Sequence, residues 1–207
     1  ELKKGIEQAL YYDEFAWLEE HPRLRYRSRR LAEGLENILM TCPKCGRTHT
    51  ILTKGRKVLC EHCGLLTAMD ARYAFDQGFR FKNLLEWYEW QKSLIGAAID
   101  ADDGYTLSEE VELRLPGTGK GLTRHGGHGT CTLSRQGLTY RGSKDGQQVE
   151  LSFSIQRVYR LLFGAGQNFE IYNGTEILYF VPRDTRTAVD WYMTSMLLHD
   201  KVVAQGA

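Results

Sequence analysis

Apolar positions recur at helical intervals in the first twenty residues, where Leu2, Ile6, Leu10 and Trp17 fall near one stripe and glutamates fill other positions. That period predicts an amphipathic helix. Leu31, Leu35, Ile38 and Leu39 repeat the spacing and lead into a cysteine-bearing stretch. There, residues 48–53, 57–60 and a run from 65 read as strands around a Lys54-Gly55 turn. "NLLEWYEWQKSLIGAAI", residues 83–99, predicts a longer helix with Asn83 as N-cap. Its Leu84, Trp87, Tyr88, Trp90, Leu94 and Ile95 are too dense for an isolated exposed helix. The expectation is that they bind two modules together, with a helix lying on a membrane interface as the alternative.

From about residue 107 the period changes to two. Seven strands are expected, over 108–115, 129–134, 137–142, 148–155, 157–163, 168–172 and 176–181, punctuated by "RQG", "KDGQ", "GAGQ" and "NGT". Val111, Leu113 and Leu115 should face inward. A final helix follows, with Asp184 near its start and Val189, Tyr192, Met193, Met196 and Leu197 on one side. The fold class is therefore α+β, with a helical arm (1–41), a ribbon (42–70), a connecting aromatic helix (71–106) and a β unit with its C-terminal helix (107–204). Seven antiparallel strands and one closing helix is the element order of a pleckstrin-homology-like or GRAM-like barrel. Other small β barrels share that strand count.

Composition adds limits. The 207 residues are 42% hydrophobic and 26% charged with a net charge of +1, an ordinary globular balance that leaves any anionic partner to local patches. The longest apolar pieces resemble "LIGAAI", 94–99, far short of the roughly 18 residues of a membrane span. The chain opens on Glu1 with neither Met nor an apolar signal region, as expected of a processed chain or a piece of a longer one.

"CPKCGRTHTILTKGRKVLCEHC", residues 42–63, carries the clearest chemistry. Cys42/Cys45 and Cys60/Cys63 are two Cys-x-x-Cys pairs fourteen residues apart, each followed by a glycine, Gly46 and Gly64. Two residues between thiolates let a tight turn aim both sulfurs at one ion, and the hairpin brings the second pair across to complete a tetrahedron. Two disulfides are the competing use of four cysteines, and the short paired spacings with a fifth cysteine at Cys131 fit that poorly. The expectation is one structural Zn2+, because four thiolates leave no open position for water or substrate. His49 and His62 are then surplus and read as solvated surface histidines. Reduced thiols place the chain in the cytoplasm.

"PRLRYRSRR", 22–30, sets Arg23, Arg25, Arg27, Arg29 and Arg30 around Tyr26, after an acidic first helix. These arginines either neutralise that helix or form a surface for lipid phosphate or nucleic acid. "LPGTGKGLTRHGGHGT", 115–130, lacks the Lys-Ser/Thr of a phosphate loop and the dinucleotide fingerprint, so it reads as a flexible hairpin loop. Its Lys120 and Arg124 are candidate anion contacts. His125, His128 and Cys131 do not make a second metal site, since His128 and Cys131 point to opposite faces of an extended chain. No nucleophile elbow or acid/base carboxylate pair stands out, and Cys131 reads as core.

"ALYYDEFAW", "GLENILMTCPKCG", "LCEHCG" and "LLEWYEWQ" together resemble the region that follows the catalytic domain in a group of bacterial 1-acylglycerol-3-phosphate acyltransferase-like proteins. The resemblance covers most of 6–95 by motif and 107–200 by element pattern alone. Those enzymes use a His-x-x-x-x-Asp motif, which is missing after all six histidines here. No catalytic residue is carried over. The resemblance implies a non-catalytic accessory region, with an N-terminal acyltransferase domain in the parent chain as its partner and the inner face of the cytoplasmic membrane as its place. Anionic lipid is the expected surface. The alternative is a nucleic-acid-binding zinc ribbon, with Lys44, Arg47, Lys54, Arg56 and Lys57 joining the arginine run.

Overall fold

Alternating apolar and polar residues build two antiparallel sheets that share one long helix in the computed structural model, which describes residues 5, 12–119, 121–159 and 161–205. The small sheet is β1 (Ile51–Lys54), β2 (Lys57–Cys60) and β3 (Gly64–Ala68), in that order. The large one holds β4 (Leu107–Pro116), β5 (Thr123–Ser134), β6 (Gly137–Lys144), β7 (Gln147–Ser154), β8 (Leu162–Gly164), β9 (Asn168–Asn173) and β10 (Glu176–Pro182). Its order is β7-β6-β5-β4-β10-β9-β8. The helices are α1 (Glu14–Glu20), α2 (Leu84–Ala101) and α3 (Ala188–Gln205). Of the expected first helix, the stripe residues Leu2, Ile6 and Leu10 lie outside the described residues. Residues 12 and 13 are not helical, so the single helix expected over 1–20 is broken there, and Asp13 caps α1 by accepting from the N–H groups of Phe15 and Ala16.

The strand count matches expectation, but the closed barrel does not form. Strands β7 and β8 pair only with β6 and β9, so the sheet remains open. Alternation specifies which face a side chain takes; it does not say which edges meet. The strand expected over 157–163 is also shortened, because Ile155–Arg157 turn into a 3-10 helix before β8 begins.

The supposed loop at 115–130 is mostly strand. Leu115 pairs with Arg124 and Pro116 with Thr123, so only 117–122 lie between the two strands. Gly126, Gly127 and Gly129 suggest a loop by composition, yet in β5 they permit close strand approach. A Cβ on Gly129 would lie 2.4 Å from the carbonyl oxygen of Arg141 on β6. Gly129→Val is expected to cost about 1–3 kcal/mol through forced separation of β5 and β6, read as a lowered thermal midpoint.

Two cores result. One lies under the large sheet, where Val111, Leu113, Leu115, Cys131 and Leu133 meet Val189, Trp191, Met193 and Leu198 of α3. The buried face of α3 includes Trp191, which the sequence pattern left out. Its ring stacks on Phe169 at 4.2 Å, and its indole N–H donates to Glu109 at 3.2 Å. The other core holds Leu39, Ile51, Val58, Phe75, Phe81 and Trp87 around the small sheet.

Helix α2 belongs to both. Asn83 caps it as expected, accepting from the N–H of Glu86 at 3.1 Å. Trp87 enters the ribbon core, while Ile95 and Ile99, two and three turns on, enter the sheet core. Between them the buried amide of Gln91 donates to the carbonyl of Ile38 at 2.7 Å and accepts from the N–H of Met40 at 3.0 Å. The helix therefore does bind two modules together. No helix among the described residues is long and apolar enough to cross a membrane.

Candidate functional site

Both Cys-x-x-Cys turns are followed by glycine at positive φ, 72° at Gly46 and 71° at Gly64, which turns the chain back after each pair. Strands β1 and β2 then carry the second pair across to the first. The sulfurs of Cys42, Cys45, Cys60 and Cys63 all lie within 4.8 Å of one another, with Cys42 and Cys63 at 4.0 Å and Cys45 and Cys60 at 3.9 Å. A tetrahedron with metal–sulfur bonds of about 2.3 Å has edges of about 3.8 Å. The four cysteines can thus hold a metal ion. They are all free, and the sulfur separations are near twice a disulfide bond.

The electrostatics suit a cation. Burial opposes ionisation of Cys60, but hydrogen bonds from the Thr50 hydroxyl and the backbone N–H groups of His62 and Cys63 bring it down to about 6. Burial and the neighbouring sulfurs push Cys63 the other way. Four thiolates this close repel one another, and a divalent ion at their centre removes that cost. Cys131 takes no part, being fully buried under the large sheet. His128 lies on the opposite face, as its spacing required, and His125 pairs with Glu112 at 3.1 Å.

Of the two surplus histidines, His62 is exposed beside Arg47. His49 is not a solvated residue. It sits at φ 54° and its Nε2 lies 2.8 Å from Oδ2 of Asp190 on α3, with both side chains under one-fifth exposed. His49 Nδ1 and Asp190 Oδ1 are buried without hydrogen-bond partners among the described residues. A histidine–aspartate pair separated by 141 residues is thereby assembled in space, where no sequence spacing could announce it. It has the chemical parts of a general base and not the access, since the second imidazole nitrogen is buried. Its effect is to clamp the ribbon to α3.

The arginine run is extended and two-sided. Leu24 and Tyr26 are half-buried, whereas Arg23, Arg25, Arg27, Arg29 and Arg30 are exposed. Tyr26 anchors the segment: its N–H donates to Ala71 at 2.8 Å, its hydroxyl donates to Glu14 at 2.9 Å, and its ring packs on Tyr73 at 4.4 Å. Arg56 adds hydrogen bonds to the carbonyl of Ser28. Alternation of apolar and basic residues from 23 to 27 was the readable sign of this geometry. Arg25 donates to the carbonyls of Pro22 and Leu24, and Arg30 pairs with Glu33. Among the described residues, the guanidinium groups of Arg23, Arg27 and Arg29 have no acidic partner. The first helix meets the run through the Tyr26–Glu14 hydrogen bond, and within the described residues none of its acids pairs with one of the five arginines.

No protein-family model matches the chain, and no curated protein matches it. Solved structures similar over half of it include the following two. SsgB of Streptomyces coelicolor, from work on longitudinal cell division during sporulation, is 14% identical over 51% of this chain and 94% of its own, with a TM-score of 0.29. An SsgA-like sporulation-specific cell division protein of Thermobifida fusca is 11% identical over 51% of this chain and 98% of its own, with a TM-score of 0.24. Likeness at this level carries no functional argument.

The other anion candidates separate. Arg124 lies in β5 and not in a loop, and its guanidinium is engaged by Asp145 at 2.5 Å. Lys120 lies outside the described residues. A cleft of about 770 Å³ opens on the outer face of the large sheet, lined by Glu110, Glu112, His128, Thr130, Arg183 and Thr185. Glu112 there is shared between His125 and Arg114. The structure thus brings the four cysteines together and the five arginines into one exposed segment, and pairs Arg124 with Asp145.

Proposed function

We propose that this chain is a non-catalytic accessory module that rests on an anionic membrane surface, stapled by one zinc ion. The observation that carries the reading is the arginine segment, which is fixed by Leu24 and Tyr26 on one side and free to meet phosphates on the other. Zinc is the metal that suits a closed set of four thiolates. The strand order with a single closing helix supports a pleckstrin-homology-like unit, open at one seam. Resemblance to the region behind acyltransferase domains supports a parent enzyme that acylates glycerophospholipids, with this module orienting it at the inner membrane face.

The test is co-sedimentation with phosphatidylcholine vesicles with and without phosphatidylglycerol, beside a gel-shift assay with RNA and DNA. Salt-sensitive binding to the anionic vesicles is expected, and it should fall at least about tenfold when Arg25, Arg27 and Arg29 become Glu. Tight nucleic-acid binding without vesicle binding would instead favour a nucleic-acid ribbon.

A further inference from the structure

Strand register puts three leucines in one row across the small sheet. Leu52 of β1 pairs with Leu59 of β2, and Leu59 pairs with Leu65 of β3. The opposite face of the same strands already supplies Ile51, Val58, Cys60 and Thr67 to the interior. The leucine row therefore faces outward, and Leu52 and Leu65 are 44% and 56% exposed. A ribbon this small has one face to bury, and the leucines are on the other.

Basic residues border the row. Lys54 and Lys57 are paired directly across β1 and β2 on the leucine side, and both are exposed with Arg56 between them. The arginine segment runs alongside. Ala32 donates its N–H to the carbonyl of Gly55 at 3.0 Å, and Arg56 reaches the carbonyl of Ser28, so the β1–β2 turn abuts residues 28–32. Exposed aliphatic side chains ringed by cations match an interfacial membrane surface, where the apolar groups enter the boundary of the acyl chains and the cations stay at the headgroups. Single-stranded nucleic acids instead ask for exposed aromatic rings on which bases stack. The nearby tyrosine rings, Tyr26 and Tyr73, are packed on each other.

We infer that the outer face of the ribbon, Leu52, Leu59 and Leu65 rimmed by Lys54, Arg56 and Lys57, is the part of the protein that enters the interface of an anionic bilayer. This rests on the reading that the arginine segment faces lipid phosphate, and gives that surface its apolar component. The two ligand turns hold the row in place, since Leu59 precedes Cys60 and Leu65 follows Cys63 by two residues.

Two measurements test it, on the intact chain with its metal. In co-sedimentation with phosphatidylcholine/phosphatidylglycerol vesicles, Leu52→Ser with Leu65→Ser should weaken partition roughly tenfold or more and remove whatever binding survives high salt. In the second, Leu65→Trp should gain a blue-shifted emission component that brominated lipids quench, measured against the parent chain. A double serine variant that binds like the native chain at every salt, or a Leu65→Trp variant whose added emission is not quenched, overturns the inference. If the arginine-to-glutamate variant still loses binding in that case, the arginine reading stands and only the leucine role fails. Vesicle binding absent from the native chain removes both. Capture of the leucine face by a protein partner with no lipid binding also overturns it.

Discussion

Removing the metal, or replacing Cys60 with Ser, is expected to unfold the ribbon while the large sheet stays folded. Structural zinc contributes on the order of 10 kcal/mol to small ribbons, far more than the few apolar residues around β1–β3 can replace. Elemental analysis should give one zinc per chain in protein prepared without chelator. After chelation, fluorescence should report loss of the packed environment of Trp87, which lies in the ribbon core. Trp191 lies in the other core and should keep its environment. Simultaneous loss of both would mean that the two cores do not fold separately. A chain without bound metal, equally stable to heat, would remove the staple altogether.

The second large effect belongs to the clamp between ribbon and α3. His49→Ala leaves the Asp190 carboxylate buried without its partner, and such broken pairs cost about 3–5 kcal/mol. Asp190→Asn should cost less, because an amide oxygen still accepts from the imidazole. The pair also sets a pH dependence. Burial pushes the pKa of His49 down, but the hydrogen bond and charge of Asp190, helped by Asp184, outweigh it and leave it raised above 6.5; Arg186 opposes them. Asp190 is raised above 3.8, by burial first, with His49 offsetting only part. Both groups hold protons more strongly in the folded chain than in the unfolded one, so both make stability fall as pH rises. The His49 contribution is complete below about pH 6.5 and is lost as pH climbs through its raised value. Thermal melts across that window should show the decline in the native chain, and none attributable to this pair in Asp190→Asn with His49→Gln. A melting profile unchanged by those substitutions would deny the clamp any energetic weight.

What the sequence made legible was local. Cys-x-x-Cys spacing with trailing glycines, the Asn83 cap and the inward face of β4 are short-range patterns, and each reappears in place. Cys131 as core and the two-module reach of α2 followed from burial and density of apolar residues. One local reading failed, since the helical spacing of Leu31, Leu35, Ile38 and Leu39 yields turns and a 3-10 helix at Leu35–Asn37 and no α-helix; the other failures depended on chain segments distant in sequence. Gly126, Gly127 and Gly129 signalled a loop because glycine is common in turns, whereas here the neighbouring strands dictate the small residue: Leu115 of β4 at Gly126, and the backbone of β6 at Gly127 and Gly129. The histidine–aspartate clamp joins residues 141 apart, so neither partner could be recognised alone. Barrel closure was unreadable for a related reason: it depends on whether the last residues of two remote edges come within hydrogen-bonding reach.

Sharing α2 between the two cores also limits how this chain could have been assembled or dismantled by recombination. A break within 84–101 would strip Trp87 and Gln91 from the ribbon, or Ile95 and Ile99 from the sheet, and leave a raw apolar surface on each piece. The seam between the two units in space therefore offers no clean cut in the chain. Even the exposed turn at Asp102–Gly104 that follows the helix is no clean boundary, since a cut there parts Ile95 and Ile99 from the sheet core, so ribbon and sheet hold together as one block.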